Sequence, residues 1–263
     1  MSIYSVYFSP TGGTRRAARM VAGEFEGVIE LDLCNYENSR REWEFNTEDI
    51  CMISVPSFGG RVPAVAAECL SRMKGGGART ILTAVYGNRD FDDTLLELRD
   101  CTEQSGFRTV AAIAAVAEHS IIHEFGTGRP DRNDEATLRS FACQIRTILA
   151  EENDLTTLEL PGNYPYREYH GVPFKPVAGA ACTVCGRCAK ECPVQAIPEA
   201  DPAATENEQC ISCMRCIVVC PQQARQISEP MVTGAREKMK ASCTVPKENQ
   251  LFTGRGRRLI DVG

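Results

Sequence analysis

The segment Ile3-Tyr4-Ser5-Val6-Tyr7-Phe8-Ser9-Pro10-Thr11-Gly12-Gly13-Thr14 decides the architecture of the first half of the chain. Ile3 to Phe8 is a short apolar run rich in β-branched and aromatic residues, the composition of a strand buried on both faces. Ser9 to Thr14 follows with hydroxyls and paired glycines, and then Ala17, Ala18, Val21, Ala22 and Phe25 recur at helical spacing. A strand, a glycine loop and a helix in that order form an anion cradle. The glycines let backbone N–H groups converge, and the helix N-terminus adds a favourable dipole. The loop lacks the Gly-Lys-Ser/Thr ending of a nucleoside-triphosphate loop and the G-x-G-x-x-G of a dinucleotide site. A tight glycine turn with a threonine cap is the plainer alternative.

Outward from this segment the pattern repeats. Val28–Leu33, Ile50–Val55, Thr80–Val85 and Thr109–Val116 read as further strands. Pro63 suits the first position of a helix carrying Val65, Cys69 and Met73. Asp90 is placed to cap a helix with Leu95 and Leu98 on one face, and Asn133 to cap a last helix with Leu138, Phe141, Ile145 and Ile148 inward. Asn35 to Thr47 is polar and poorly periodic, and predicts a short or degraded helix. Five strands alternating with helices predict an α/β domain over 1–150, a doubly wound parallel sheet. Residues 151–177 are broken by Pro161, Gly162, Pro165, Gly171, Pro173 and Pro176, with Tyr164, Tyr166 and Tyr169 among them, and predict a linker packed along a surface. Residues 178–230 are dominated by cysteine, and 231–263 form a tail that begins with a weak helical pattern and ends rich in Gly and Arg.

The composition narrows the classes of partner. Hydrophobic residues at 43% and charged residues at 24% of 263 are ordinary for a soluble globular protein. A net charge of −6 gives no basic excess for nucleic acid, and the Arg255–Arg258 patch reads as a solvated tail. The N-terminus lacks a basic leader, and the most apolar stretch, Val110 to Ala117, is too short for a bilayer. A cytoplasmic location is expected, with neither membrane nor nucleic acid as a partner. In that setting fourteen cysteines point to metal rather than to disulfides.

Eight of those cysteines form two runs. Cys182, Cys185, Cys188 and Cys192 precede Pro193, and Cys210, Cys213, Cys216 and Cys220 precede Pro221. Each reads C-x2-C-x2-C-x3-C-P, and the second is the first displaced by 28 residues. Three thiolates at two-residue intervals wrap one cubane, and in this run the fourth cysteine ligates the other cluster. Cys182, Cys185, Cys188 and Cys220 are thus expected to hold one [4Fe–4S] cluster, and Cys210, Cys213, Cys216 and Cys192 a second. Zinc sites favour two C-x2-C pairs parted by a longer loop, which this spacing fits poorly. The region resembles the bacterial ferredoxins with two [4Fe–4S] clusters, and the resemblance implies a small α+β module.

Two further loops stand at the carboxyl ends of predicted strands, where open α/β sheets bind ligands. Pro56-Ser57-Phe58-Gly59-Gly60 follows the third strand, and Tyr86-Gly87-Asn88-Arg89-Asp90 the fourth. Each offers an aromatic ring and glycine-exposed backbone, which is what an isoalloxazine requires: a face to stack on and polar groups along its edge. Ser9 to Thr14 is similar to the phosphate loop of flavodoxins, and the other two loops to those that flank the flavin ring. The resemblance implies FMN, with its phosphate on Ser9, Thr11, Gly12, Gly13 and Thr14 and its ring beside Phe58 and Tyr86. The tryptophan usual in the first ring-flanking loop is absent, and Trp43 lies in the degraded second helix. The whole chain resembles the flavodoxin–ferredoxin fusion proteins of anaerobic bacteria.

Other residues have weaker claims. His119, past the fifth strand, is a candidate proton donor or a structural histidine. Arg61 and Arg89 suit an anionic substrate, a flavin carbonyl or plain surface ion pairs. Cys34, Cys51, Cys69, Cys101 and Cys143 fall on apolar positions and read as small hydrophobes. Three classes of function compete: an electron relay between FMN and two clusters, an FMN-dependent reductase fed by the clusters, and a ferredoxin on a flavin-free scaffold. The expected partners are redox proteins, with a homodimer as a further arrangement.

Overall fold

The computed structural model describes residues 1–150 and 158–254. The Arg255–Arg258 patch and the first seven residues of the linker lie outside the described residues. The N-terminal half runs β1 (Ile3–Tyr7), α1 (Gly13–Ala22), β2 (Val28–Asp32), α2 (Tyr36–Arg40), β3 (Ile50–Pro56), α3 (Ala64–Ser71), β4 (Arg79–Tyr86), α4 (Thr94–Gln104), β5 (Arg108–Val116) and α5 (Arg132–Ala150). The C-terminal half adds β6 (Val177–Ala178), α6 (Arg187–Lys190), α7 (Arg215–Val218), β7 (Arg225–Gln226), α8 (Glu229–Cys243) and β8 (Gln250–Thr253).

Strands β1 to β5 pair in parallel in the order β2-β1-β3-β4-β5, the flavodoxin-like doubly wound arrangement. Both faces are covered, which explains the unbroken apolar runs. On β3, Ile50 and Met52 join Val21, Leu138 and Phe141 of α1 and α5, while Cys51, Ile53 and Val55 join Leu70 of α3 and Leu95 of α4. The expected five-stranded sheet has a sixth strand: β8 from the C-terminal tail pairs antiparallel with β5, Leu251 opposite Ile113.

Three helix starts differ from the sequence reading. Pro63 stands one position before α3, as its N-cap, rather than inside it. Asp93 rather than Asp90 precedes α4, and Asp90 instead closes a local turn by accepting from the amides of Phe91 (2.7 Å) and Asp92 (3.3 Å). Asp131 caps α5, its Oδ1 accepting from the amides of Asn133 (2.8 Å) and Asp134 (3.0 Å). The degraded second helix is the short α2, with Asn35 Oδ1 accepting from the amides of Glu37 and Asn38. Cys34, Cys51 and Cys69 are buried, whereas Cys143 lies on the exposed face of α5.

In the C-terminal module the 28-residue duplication is written into the backbone. Val184 and Ser212, Gly186 and Met214, and Gln195 and Gln223 are three pairs at that spacing, all with positive φ. Helices α6 and α7 are one such pair, and β6 and β7 close the module as an antiparallel ladder. No helix among the described residues is long and apolar enough to cross a membrane.

Candidate functional site

The anion loop sits between β1 and α1. Gly12 precedes the helix at φ 94, a left-handed conformation that favours glycine, and no side chain caps α1. No acidic residue lies in its first turn, so the positive end of the helix is unopposed. Ser9 Oγ accepts from the Arg15 amide at 2.9 Å, and Ser9 and Thr14 are buried. Arg15 and Arg19 are held by Glu30, whose carboxyl is lowered to about 2, chiefly by its hydrogen bond with Arg19. Thr11, Gly12 and Gly13 line a cavity that continues over α7 and α8.

A second cavity opens at the carboxyl ends of β3 and β4. Ser57, Phe58, Gly59, Gly60, Tyr86, Gly87, Arg89 and Asp90 all border it, so the two ring-flanking loops do converge. Within this group the side chains diverge from the sequence reading. Tyr86 is 4% exposed and its ring lies 5.4 Å from that of Phe91, in the core rather than free in the loop. Asn88 is buried with φ 61, and its amide is spent on the C-terminal segment: Nδ2 donates to the carbonyls of Cys243 (2.5 Å) and Val245 (3.1 Å), and Oδ1 accepts from the Lys247 amide (3.0 Å). Arg89 pairs with Asp92. Arg61 does not border this cavity; its Nε and Nη2 donate to Glu97 at 2.8 and 2.7 Å, and its guanidinium lies over the Tyr166 ring. Trp43 does not border this cavity either, and its Nε1 donates to the Asn38 carbonyl.

His119 borders both cavities. Its Nδ1 accepts from the amides of Ile121 (3.2 Å) and Ile122 (3.0 Å), which leaves the neutral ring's proton on Nε2. Burial pushes the imidazole down to about 4, so at neutral pH it donates a hydrogen bond but carries no dissociable second proton. Gly87 must be small to admit it, since a Cβ there would stand 2.6 Å from His119 Cδ2.

The eight cysteines of the two runs are distributed over the two repeats. Cys192, Cys210, Cys213 and Cys216 border one cavity, the cross-repeat set that the spacing predicts. Cys213 lies within electrostatic reach of Cys192, Cys216 and Cys210. Among the described residues no three His, Cys, Asp or Glu side chains close on a single point as one bound metal ion requires. Of the other set, Cys188 is buried, Cys182 and Cys220 are half-buried and Cys185 is exposed. Cys192 and Cys220 accept equivalent bonds at 3.3 Å, from the amides of Ala196 and Ala224, so the two fourth cysteines occupy matching places.

The two halves meet at these sites. Ile211 borders the four-cysteine cavity and the cavity at β3 and β4, and packs against the core of the sheet domain. Arg215 of α7 donates to the Pro10 carbonyl of the anion loop at 3.5 Å and pairs with Glu191. The linker is docked on α4: Tyr164 and Tyr166 both donate to Asp100, and the Arg167 amide donates to Asp93 at 2.6 Å. Tyr169, Val172 and Phe174 of the linker, with Ile211, Ser212 and Met239, border the cavity at β3 and β4, none of them named as a site residue from the sequence. The one available signal was the interleaving of tyrosines through the linker.

Residues 181–225 match the family model of the 4Fe-4S dicluster domain. A flavodoxin from Streptococcus pneumoniae TIGR4 is similar at 15% identity over 56% of this chain and 99% of its own, with a TM-score of 0.40. A flavodoxin from the domain Archaea is 10% identical over 57% and 99%, TM-score 0.39. Rubredoxin oxygen:oxidoreductase from the anaerobe Desulfovibrio gigas is 16% identical over 57% of this chain and 37% of its own, TM-score 0.39. No curated protein matches the chain. The distant structural similarities carry no functional weight, and the strand order and loops of the chain itself define the fold.

Proposed function

We propose that the protein is an electron-transfer iron–sulfur flavoprotein that relays electrons between FMN and two [4Fe–4S] clusters. The observation that carries this reading is Ile211, one residue that borders both the ring-side cavity and the four-cysteine cavity. A flavin and a cluster in those two spaces would be neighbours through a single residue.

Bound FMN supplies two electrons that it can exchange singly, and each cluster exchanges one, so the pair couples two-electron to one-electron chemistry. Ser9, Thr11, Gly12, Gly13 and Thr14 would hold the phosphate at the uncapped start of α1. The loops at Pro56–Gly60 and Tyr86–Asp90 would border the ring, and His119 would donate from Nε2. Cys192, Cys210, Cys213 and Cys216 would hold one cluster, and Cys182, Cys185, Cys188 and Cys220 the other. A reductase needs a proton donor beside the ring. His119 is held neutral and Arg89 is paired with Asp92, which favours the relay. The partners in this reading are proteins that donate and accept electrons in the cytoplasm.

Anaerobic purification followed by assay of iron, sulfide and flavin tests the reading. The relay requires about eight iron, about eight sulfide and about one FMN per chain, and a reductive titration consuming about four electrons. Full iron with no FMN uptake would leave a dicluster ferredoxin on a scaffold domain.

A further inference from the structure

Phe58, the aromatic of the first ring-flanking loop, packs against the sheet core, and the structure brings a second ring to this loop from elsewhere. Phe58 to Arg61 forms a tight turn, with the Phe58 amide donating to the Arg61 carbonyl (3.0 Å) and the Arg61 amide to the Phe58 carbonyl (3.2 Å). Gly59, at the tip, has φ 60. The ring of Tyr169, from the linker, lies directly on it: a Cβ added at Gly59 would stand 2.5 Å from Tyr169 Cε2 and 3.3 Å from Cγ. The turn is thus bare where the linker tyrosine covers it.

Tyr169 is fixed in that place from both sides. Two residues earlier, the Arg167 amide donates to Asp93 and its carbonyl accepts from Arg61 Nη1 at 2.7 Å. Three residues later, the Val172 carbonyl accepts from Ser212 Oγ at 3.0 Å, between the second-run cysteines. The Tyr169 hydroxyl has no hydrogen-bond partner among the described residues, and burial raises its pKa. A half-buried phenol bordering the ring-side cavity offers a ligand an apolar face and a polar tip.

We propose that Tyr169 is a flavin-binding residue, supplying an aromatic face from the inter-domain linker over the glycine tip of the first ring-flanking loop. The inference rests on the flavin reading above and adds to it: FMN is held by both halves of the chain, so its retention depends on the linker staying docked.

The test is FMN titration of the full-length, deflavinated protein with its iron intact, for wild type, Tyr169→Ala and Tyr169→Phe. Affinity and the fluorescence of the bound flavin are both read. An electron-rich phenol stacked on an isoalloxazine quenches its emission, which packing elsewhere would not do. Tyr169→Ala should weaken FMN binding about 10-fold or more and brighten the bound flavin. Tyr169→Phe keeps the stacking area, so affinity should stay within about 3-fold while emission still rises. Iron per chain should be the same in all three. Wild-type affinity and wild-type quenching in Tyr169→Ala would overturn the proposal and leave the flavin site standing. Failure of the wild-type chain to take up FMN would overturn the flavin reading and this proposal with it.

Discussion

Replacing Asn88 should loosen the C-terminal segment from the sheet domain by an amount that follows from its contacts. The side chain makes three hydrogen bonds to backbone groups of residues 243–247, at 2.5, 3.1 and 3.0 Å, and is itself 4% exposed. Each bond contributes roughly 1 kcal/mol net, and water compensates part of the loss because Val245 is 63% exposed. Truncation then costs about 2–3 kcal/mol from hydrogen bonding. The backbone adds to this. At φ 61 asparagine is tolerated, while alanine pays about 1 kcal/mol more. Asn88→Ala should therefore lose about 3–4 kcal/mol and Asn88→Gly, which accepts the conformation, about 2–3 kcal/mol. The assay is native-state hydrogen exchange over residues 243–253. A loss of about 3 kcal/mol corresponds to opening roughly 100-fold more often, with the Lys247 amide among the most affected. Exchange within about 3-fold of wild type in both variants would refute the role of Asn88 as the tie. A glycine variant less protected than the alanine one would refute the backbone part.

Thr11→Ala combined with Thr14→Ala should release FMN while iron per chain stays at its wild-type value; full flavin retention would remove the phosphate from this loop. Cys192→Ser takes a thiolate from the set shared with Cys210, Cys213 and Cys216, so iron should fall to about half and the spectrum of one cluster should persist. Loss of the cluster assigned to Cys182, Cys185 and Cys188 instead would reverse the pairing. His119 titrates near 4 in the folded chain against 6.5 unfolded, so the folded state binds fewer protons between those values. Its contribution is complete above pH 6.5 and is lost as pH falls toward 4, reaching at most about 3 kcal/mol. Urea midpoints measured across that range should fall more steeply for wild type than for His119→Gln, and parallel curves would show that His119 is not buried neutral.

Much of this protein was legible in its sequence because the controlling forces are local or repeat at short range. Strands buried on both faces need unbroken apolar runs, so β1, β3, β4 and β5 announced themselves. A cubane needs thiolates at fixed short intervals, so the two cysteine runs and their 28-residue offset carried the second module. The anion loop is a contiguous strand–glycine–helix segment and needs no distant partner. Tertiary structure decided the rest, because the deciding contact lies far away in the chain. Gln250 to Thr253 is too short and too mixed to read as a strand, and becomes one by pairing with the open edge of β5. Tyr86 and Asn88 stand in a ligand-facing loop by position, yet Phe91 draws one into the core and the carbonyls of residues 243 and 245 engage the other. Tyr169 lies 110 residues beyond Gly59 in the chain, and only docking of the linker through Arg61, Asp93 and Asp100 brings the two together. Spacing along the chain encodes what neighbouring residues can do together; which half-buried side chain walls a cavity is settled by the packing of separate elements, where no short period exists to be read.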